Sequence, residues 1–241
     1  MSRKKPRSSG KSSFKFKNIF HIAKKLSLWF FALSFLWVLV YRFINPPVTW
    51  LMTQRGIERK LDDKEWKIEK EWRSFDELSS NLKYAAMAGE DVHFLKHWGF
   101  DAESIQSAYE KNKAGKPMRG GSTISQQVAK NVFLWPGRSW IRKGFEAYFT
   151  VLIELLWNKK RIMEVYLNVI EMGDGIYGAE AATQFYYKKP ATKLSKGQAA
   201  LLVAVLPNPR RWTPAKPTAY IYKKQYLILR NMRRIRNLKF D

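Results

Sequence analysis

Residues 26–41 read LSLWFFALSFLWVLVY, sixteen positions without a formal charge, and they follow nine Lys and Arg with no acid in residues 1–25. A run like this has few ways to fold. As a helix it spans about 24 Å, and Ile22, Ala23, Phe43 and Ile44 extend it toward the ~30 Å of a bilayer core. Lys24, Lys25 and Arg42 are placed to snorkel to the interfaces, and Trp29, Trp37 and Tyr41 suit an aromatic belt. A core helix seldom follows nine unopposed basic residues. A cleaved signal peptide would need a small-residue cleavage site, whereas this run ends in Arg42 and Pro46-Pro47. The expectation is one uncleaved transmembrane helix over residues 26–45. The basic tail, 1–25, then stays in the cytoplasm and everything after Pro46 lies outside it.

The whole chain of 241 residues carries 44 Lys and Arg against 20 Asp and Glu, a net +24 that points to a polyanionic partner or an anionic membrane surface. The second concentration of charge is at the C-terminus, where ten Lys and Arg from Arg210 onward face only Asp241. With no cysteine, disulfides, thiol nucleophiles and thiolate metal sites are excluded. After the anchor, residues 46–72 read as a membrane-proximal connection with helical tendencies. A mainly α domain is expected over 73–213, and a basic helical segment over 214–241. No strand run exceeds a few residues.

Within the domain, Ser74-Phe75-Asp76-Glu77 has the form of a capping box opening a helix. Leu78, Leu82, Ala85 and Ala86 continue it at helical spacing, and Gly89 is the expected stop. Glu90 then sits at a helix C-terminus, where the dipole disfavours a carboxylate and raises its pKa. That makes it a candidate general acid or base. Taken locally, a solvated turn acid explains it better.

Residues 111–119 read as a mobile polar loop, followed by Gly120-Gly121 and a second capping box, Thr123 with Gln126. Ile124, Val128 and Val132 form the expected inward face of the helix that follows, while Thr123, Gln127, Lys130 and Asn131 share another face. A glycine-rich turn, free helix N–H groups and a lysine suit a phosphate, although the Gly-Lys-Ser/Thr ending of a Walker loop is absent. The next helix, 139–157, has Phe145, Phe149, Leu152 and Leu156 in register. Arg142, Lys143 and Glu146 fall within one of its turns, a spacing that by itself favours an ordinary surface pair over a cationic cleft. A fourth helix starts at residue 159 and is expected to end at Gly173, before a turn at 174–178. Ser195 and Gln198 cap a last apolar helix, 199–206. His93 and His97 at i,i+4 lack an evident third metal ligand, and a hydrogen-bonding His97 is the simpler expectation.

Five stretches occur in a familiar order: EDVHFLKHWG (90–99), GGSTISQQVAKN (120–131), RKGFE (142–146), KRIMEVYLN with GDGIYG (160–178) and AALLVAVLPNP (199–209). In these blocks the chain resembles the monofunctional peptidoglycan glycosyltransferases, whose domain is shared with the class A penicillin-binding proteins. Ser125, where many members have threonine, and Met163, where leucine is usual, are mild departures. The chain stops about thirty residues after Pro209, short of a transpeptidase domain, so the monofunctional branch is expected.

The resemblance implies a lysozyme-like, two-lobed helical fold on the outer face of a bacterial inner membrane. It implies a reaction that polymerises a lipid-linked disaccharide-pentapeptide (lipid II) onto growing glycan, with inversion and release of undecaprenyl pyrophosphate. By the same resemblance Glu90 is the catalytic base and Glu146 the second catalytic glutamate. Lys130, Arg142 and Lys143 face the pyrophosphate, Ser122, Thr123 and Gln127 line the donor pocket, and Asp91, Phe94, His97 and Asn131 complete the substrate-binding positions. The implied partners are lipid II, the glycan strand, membrane lipids and cell-wall synthase or division proteins, with no nucleic acid. No cofactor is required, with Mg²⁺ at the pyrophosphate left open. Two alternatives stand beside this: a lysozyme-like enzyme that cleaves glycan, and a non-enzymatic membrane protein that binds anionic lipid. The cations argue against the first, because hydrolysis of a neutral glycosidic bond needs no phosphate cradle.

Overall fold

A residue before proline is pushed out of the helical region, and Asn45 precedes Pro46-Pro47. In the computed structural model, which describes residues 10–103, 106, 110, 113, 121–137 and 139–240, the first helix, α1, accordingly runs Gly10–Phe43. Its portion Phe20–Phe43 has a mean hydropathy of 1.7 and is long and apolar enough to cross a membrane, the one such helix among the described residues. That apolar portion starts earlier and ends sooner than the membrane helix expected over 26–45, and the helix itself stops before the proline pair. Contacts divide the chain into Met1–Phe43 and a second compact unit, Ile44–Asp241.

In the second unit Thr49 caps α2 (Trp50–Leu61), its hydroxyl accepting from Met52 N at 3.3 Å. Strand β1 (Glu69–Lys70) follows. The helix that holds Glu90, α3, spans Ser80–Glu90 and starts six residues after Ser74. The expected capping box forms only a turn. Ser74 Oγ donates to Glu77 Oε2 at 2.6 Å instead of accepting a helix N–H, so Ser79 takes the cap and accepts from Asn81 N. Gly89 also plays a different part from the one expected. It lies inside α3, and a Cβ there would come 2.6 Å from Val203 Cγ1. It is a point of close helix approach rather than a stop.

Helix α4 (Ile124–Phe133) carries the complete Thr123–Gln126 capping box, and Ile124, Val128 and Val132 are buried as their spacing requires. Residues 111–120 lie outside the described residues apart from Lys113. Helix α5 (Trp140–Leu156) starts at its Ser139 cap, but its buried face is Glu146, Phe149, Thr150, Ile153 and Glu154. The expected stripe differs, since Phe145, Leu152 and Leu156 are only half-buried. The face turned because the inward acid Glu154 is satisfied, accepting from Ser125 Oγ and, at 2.8 Å, from Lys159 Nζ.

Helix α6 ends at Val169 (Lys159–Val169), short of Gly173, because Ile170 is already extended and the chain pairs as β2 (Glu171–Gly173) and β3 (Ile176–Tyr177). The strand order is β1-β3-β2, with β1 parallel and β2 antiparallel to β3. Helix α7 (Ala179–Tyr187), a 3₁₀ turn (Ala191–Lys193), α8 (Lys196–Ala204, with its Ser195–Gln198 box) and α9 (Ala219–Ile235) complete the unit. Helices α3, α8 and α9 pack on one another, and α4 packs against α5 and α6.

Gly99 ties the end of the first sequence block to these helices. It has φ +81°, a Cβ there would meet Thr150 Cγ2 at 2.5 Å, and its carbonyl accepts from Thr123 Oγ1 at 2.6 Å. Gly99→Ala combines left-handed strain with a clash and is expected to cost about 1–3 kcal/mol. For a unit of this size that is a melting point lowered by roughly 2–12 °C. An unchanged melting temperature would show that the turn relaxes freely.

Candidate active site

Glu90 is the last residue of α3, half-buried, with Asp91 as the C-cap. Burial pushes its carboxyl above the usual glutamate range. A hydrogen bond from Gln127 Nε2 to Oε2 at 2.8 Å and the charges of Lys224 and Lys130 work against that rise, while Asp91 adds to it. Gln127 reaches Glu90 from the first turn of α4, so the relation between α3 and α4 sets the geometry.

Asp91 fixes that relation. Its Oδ2 accepts from Ile124 N at 3.0 Å, capping α4, and its Oδ1 pairs with His97 Nε2 at 2.8 Å. Thr123 caps α4 and bonds Gly99 O, and Phe94 is fully buried. Three positions expected to bind substrate (Asp91, His97 and Thr123) therefore make hydrogen bonds within the protein that tie the segment after α3 to the start of α4, and Phe94 lies in the core. Asn131 is buried on α4, and Ser122 is half-buried just before it.

One turn beyond Gln127, Lys130 is half-buried and its pKa is lowered by that burial. Glu146 and Glu90 pull the pKa up, Arg142 and Lys143 push it down, so all four lie within its electrostatic reach. On α5, Glu146 is 2% exposed; Lys143 Nζ donates to its Oε1, and Arg142 Nη1 lies 3.9 Å from its Oε2. The side chain of Arg142 is 12% exposed and that of Lys143 46%. The i,i+3 and i,i+4 spacing is thus a cationic cluster around a buried acid. Beside such clustered cations, a carboxyl of raised pKa can take up a proton at one atom while the cations stabilise negative charge developing at another.

Two residues escaped the reading of the sequence. Lys224 on α9 lies over the rings of Trp212 (5.3 Å) and Tyr220 (5.8 Å), and its charge reaches Glu90. The signal was there: Lys224 interrupts the buried stripe Ile221, Ile228, Met232. Tyr166 of α6 is fully buried, and its hydroxyl pKa is raised by burial and by Glu90 and Asp91.

Among the described residues one group, Asp91, His97 and Asp101, offers donor atoms within 4.8 Å of one another, a set compatible with a divalent cation. His93 Nδ1 also pairs with Asp101 at 2.9 Å. Because Asp91 already serves Ile124 and His97, these contacts describe a hydrogen-bonded clasp, and Mg²⁺ prefers an oxygen shell without imidazole.

The family model described as Transglycosylase matches residues 58–233. A protein named biosynthetic peptidoglycan transglycosylase from Pseudomonas syringae pv. tomato is 50% identical over 211 residues, covering 88% of this chain and 89% of its own length. Proteins of the same name from Bacteroides thetaiotaomicron (53% over 218 residues, 90% and 87% covered) and Pseudomonas aeruginosa (47% over 216, 90% and 93%) are similar over nearly the same span. Matched by the family model across the segment that holds Glu90, Gln127, Lys130 and Glu146, the chain belongs to the transglycosylase family.

Proposed function

We propose that this chain is a membrane-anchored peptidoglycan glycosyltransferase that polymerises lipid-linked disaccharide-pentapeptide into β-1,4 glycan. The observation that carries the reading is the convergence of Glu90, its Gln127 donor and the Lys130, Arg142 and Lys143 cations around Glu146. Glu90 takes the proton from the acceptor sugar's 4-hydroxyl. That oxygen attacks the anomeric carbon of the donor, and the bond to the lipid pyrophosphate breaks with inversion. This is the inverting scheme of glycoside hydrolases with a sugar hydroxyl in place of water. The departing pyrophosphate gains negative charge, which the three cations stabilise. Glu146 holds Arg142 and Lys143 in place for it.

A lipid-linked substrate asks for a site near the bilayer. Near Arg142 and Lys143, α5 and its approach expose Trp140 (92%), Ile141 (72%) and Trp135 (46%), an apolar surface suited to the membrane interface. With its basic end in the cytoplasm, α1 would be a single pass and the Ile44–Asp241 unit would lie outside. Deleting residues 1–43 is expected to leave a folded unit that still associates with anionic vesicles and whose activity depends more strongly on added lipid. A truncated protein that stays wholly in buffer and ignores lipid would contradict this placement.

Purified lipid-linked precursor tests the reaction itself. Glycan polymer is the expected product; lysis of preformed glycan without polymer would favour the cleaving enzyme.

A further inference from the structure

A cavity of about 380 Å³ lies between α2, the β2–β3 hairpin, α7 and the segment after α8. None of the residues placed in the reaction above lines it. Its volume is at the lower end of small-molecule sites, enough for one sugar-sized group. Four basic side chains line it: Arg59, Lys67, Arg210 and Arg211. Three acids answer them. Asp174 pairs with Arg59 and lies 3.7 Å from Arg210, Glu58 lies 3.3 Å from Arg210, and Glu69 lies 3.3 Å from Lys67. Arg211 is exposed and enters none of the ion pairs of the described residues. One guanidinium is left over.

The remaining wall is mixed, with three aromatic side chains, Phe185, Tyr186 and Trp212, beside Ile176, Pro209 and Thr213. Phe185 lies under Lys67 at 4.9 Å, and Trp212 packs on Tyr220 with ring centroids 5.4 Å apart. Trp212 also carries Lys224, whose charge reaches Glu90.

We propose that this cavity is an accessory subsite for an anionic saccharide, a sugar ring set against Trp212 and Phe185 with its carboxylate on Arg211. The inference rests on the reading that the chain handles saccharides, and it adds a second point of contact beside Glu90. A guanidinium fork matches a carboxylate bidentately, and aromatic faces suit the apolar face of a sugar ring. Bare phosphate would use the cations and leave the aromatic wall idle.

The test uses the full chain in detergent and two soluble probes, an N-acetylated disaccharide with a free carboxylate and its methyl ester. Titration calorimetry is expected to show the acid binding about 2- to 5-fold more tightly than the ester, as for one solvent-exposed ion pair. Arg211→Ser should erase that preference, leave the ester's affinity alone and keep the melting temperature. Equal affinities for acid and ester, or a preference that survives Arg211→Ser, would overturn the subsite. So would inorganic phosphate binding as tightly as the acid at matched ionic strength. Polymer formation from lipid-linked precursor is followed in the same preparation. Polymer without acid preference removes the subsite alone, whereas an Arg211-dependent preference without polymer keeps the subsite and removes the reaction.

Discussion

Glu90→Gln is expected to lower polymerisation of the lipid-linked precursor by about 10²–10⁴-fold, the range for loss of a general base. Glutamine keeps the size of the side chain and still offers an oxygen to Gln127 Nε2, but it takes no proton. The variant should also melt higher than the parent at neutral pH. Burial raises the pKa of Glu90 in the folded state, against the hydrogen bond from Gln127 and the charges of Lys224 and Lys130. The folded state then binds a proton more tightly than the unfolded one. The stability this contributes is complete below the ordinary glutamate pKa and is lost as pH rises through the folded value. Glutamine does not ionise and avoids that loss, so the two melting curves should converge in acid. Melting temperature against pH, beside single-turnover polymerisation, checks both. Near-parental turnover in Glu90→Gln would end its assignment as the base.

The second large effect is expected at Lys130, more than at its exposed neighbour Lys143. Lys130 is half-buried among Glu90, Glu146, Arg142 and Lys143, whereas the Lys143 side chain is 46% exposed and screened by water. A partly buried cation on a phosphate contributes about 1.5–3 kcal/mol, so Lys130→Met should cost one to two decades in single-turnover rate. It also removes a cation that opposes protonation of Glu90, so the acid limb of the pH profile should move upward. A surface ion pair would instead shift only the melt, by tenths of a kcal/mol. Unchanged turnover and an unmoved acid limb in Lys130→Met would place the leaving group elsewhere.

What the sequence made legible is short-ranged. The boxes at Thr123–Gln126 and Ser195–Gln198 formed as read, because each is closed by residues three apart. The uncharged run in α1 was legible for the same reason: its length and its basic flank are properties of one segment. Where a local pattern had a distant competitor, it misled. The Ser74–Glu77 box became a turn, and its backbone is held by side chains from elsewhere, with Phe75 N donating to Glu164 at 2.9 Å and Lys83 reaching Phe75 O. The inward face of α5 turned toward Glu154 because Ser125, 29 residues away, and Lys159 satisfy that acid.

By itself, then, the sequence determined most of the helices and their caps, the apolar N-terminal segment and the block order that carries the family. Only the tertiary structure decided which side chains meet. Glu90 comes from α3, Gln127 and Lys130 from α4, Glu146 from α5 and Lys224 from α9, and no periodicity in one segment relates them. Their meeting depends on α3 packing against α8 and α9, and on Asp91 joining the end of α3 to the first N–H of α4. Burial does the rest: it raises Glu90 and lowers Lys130, and burial is a property of the packed chain rather than of any stretch of it.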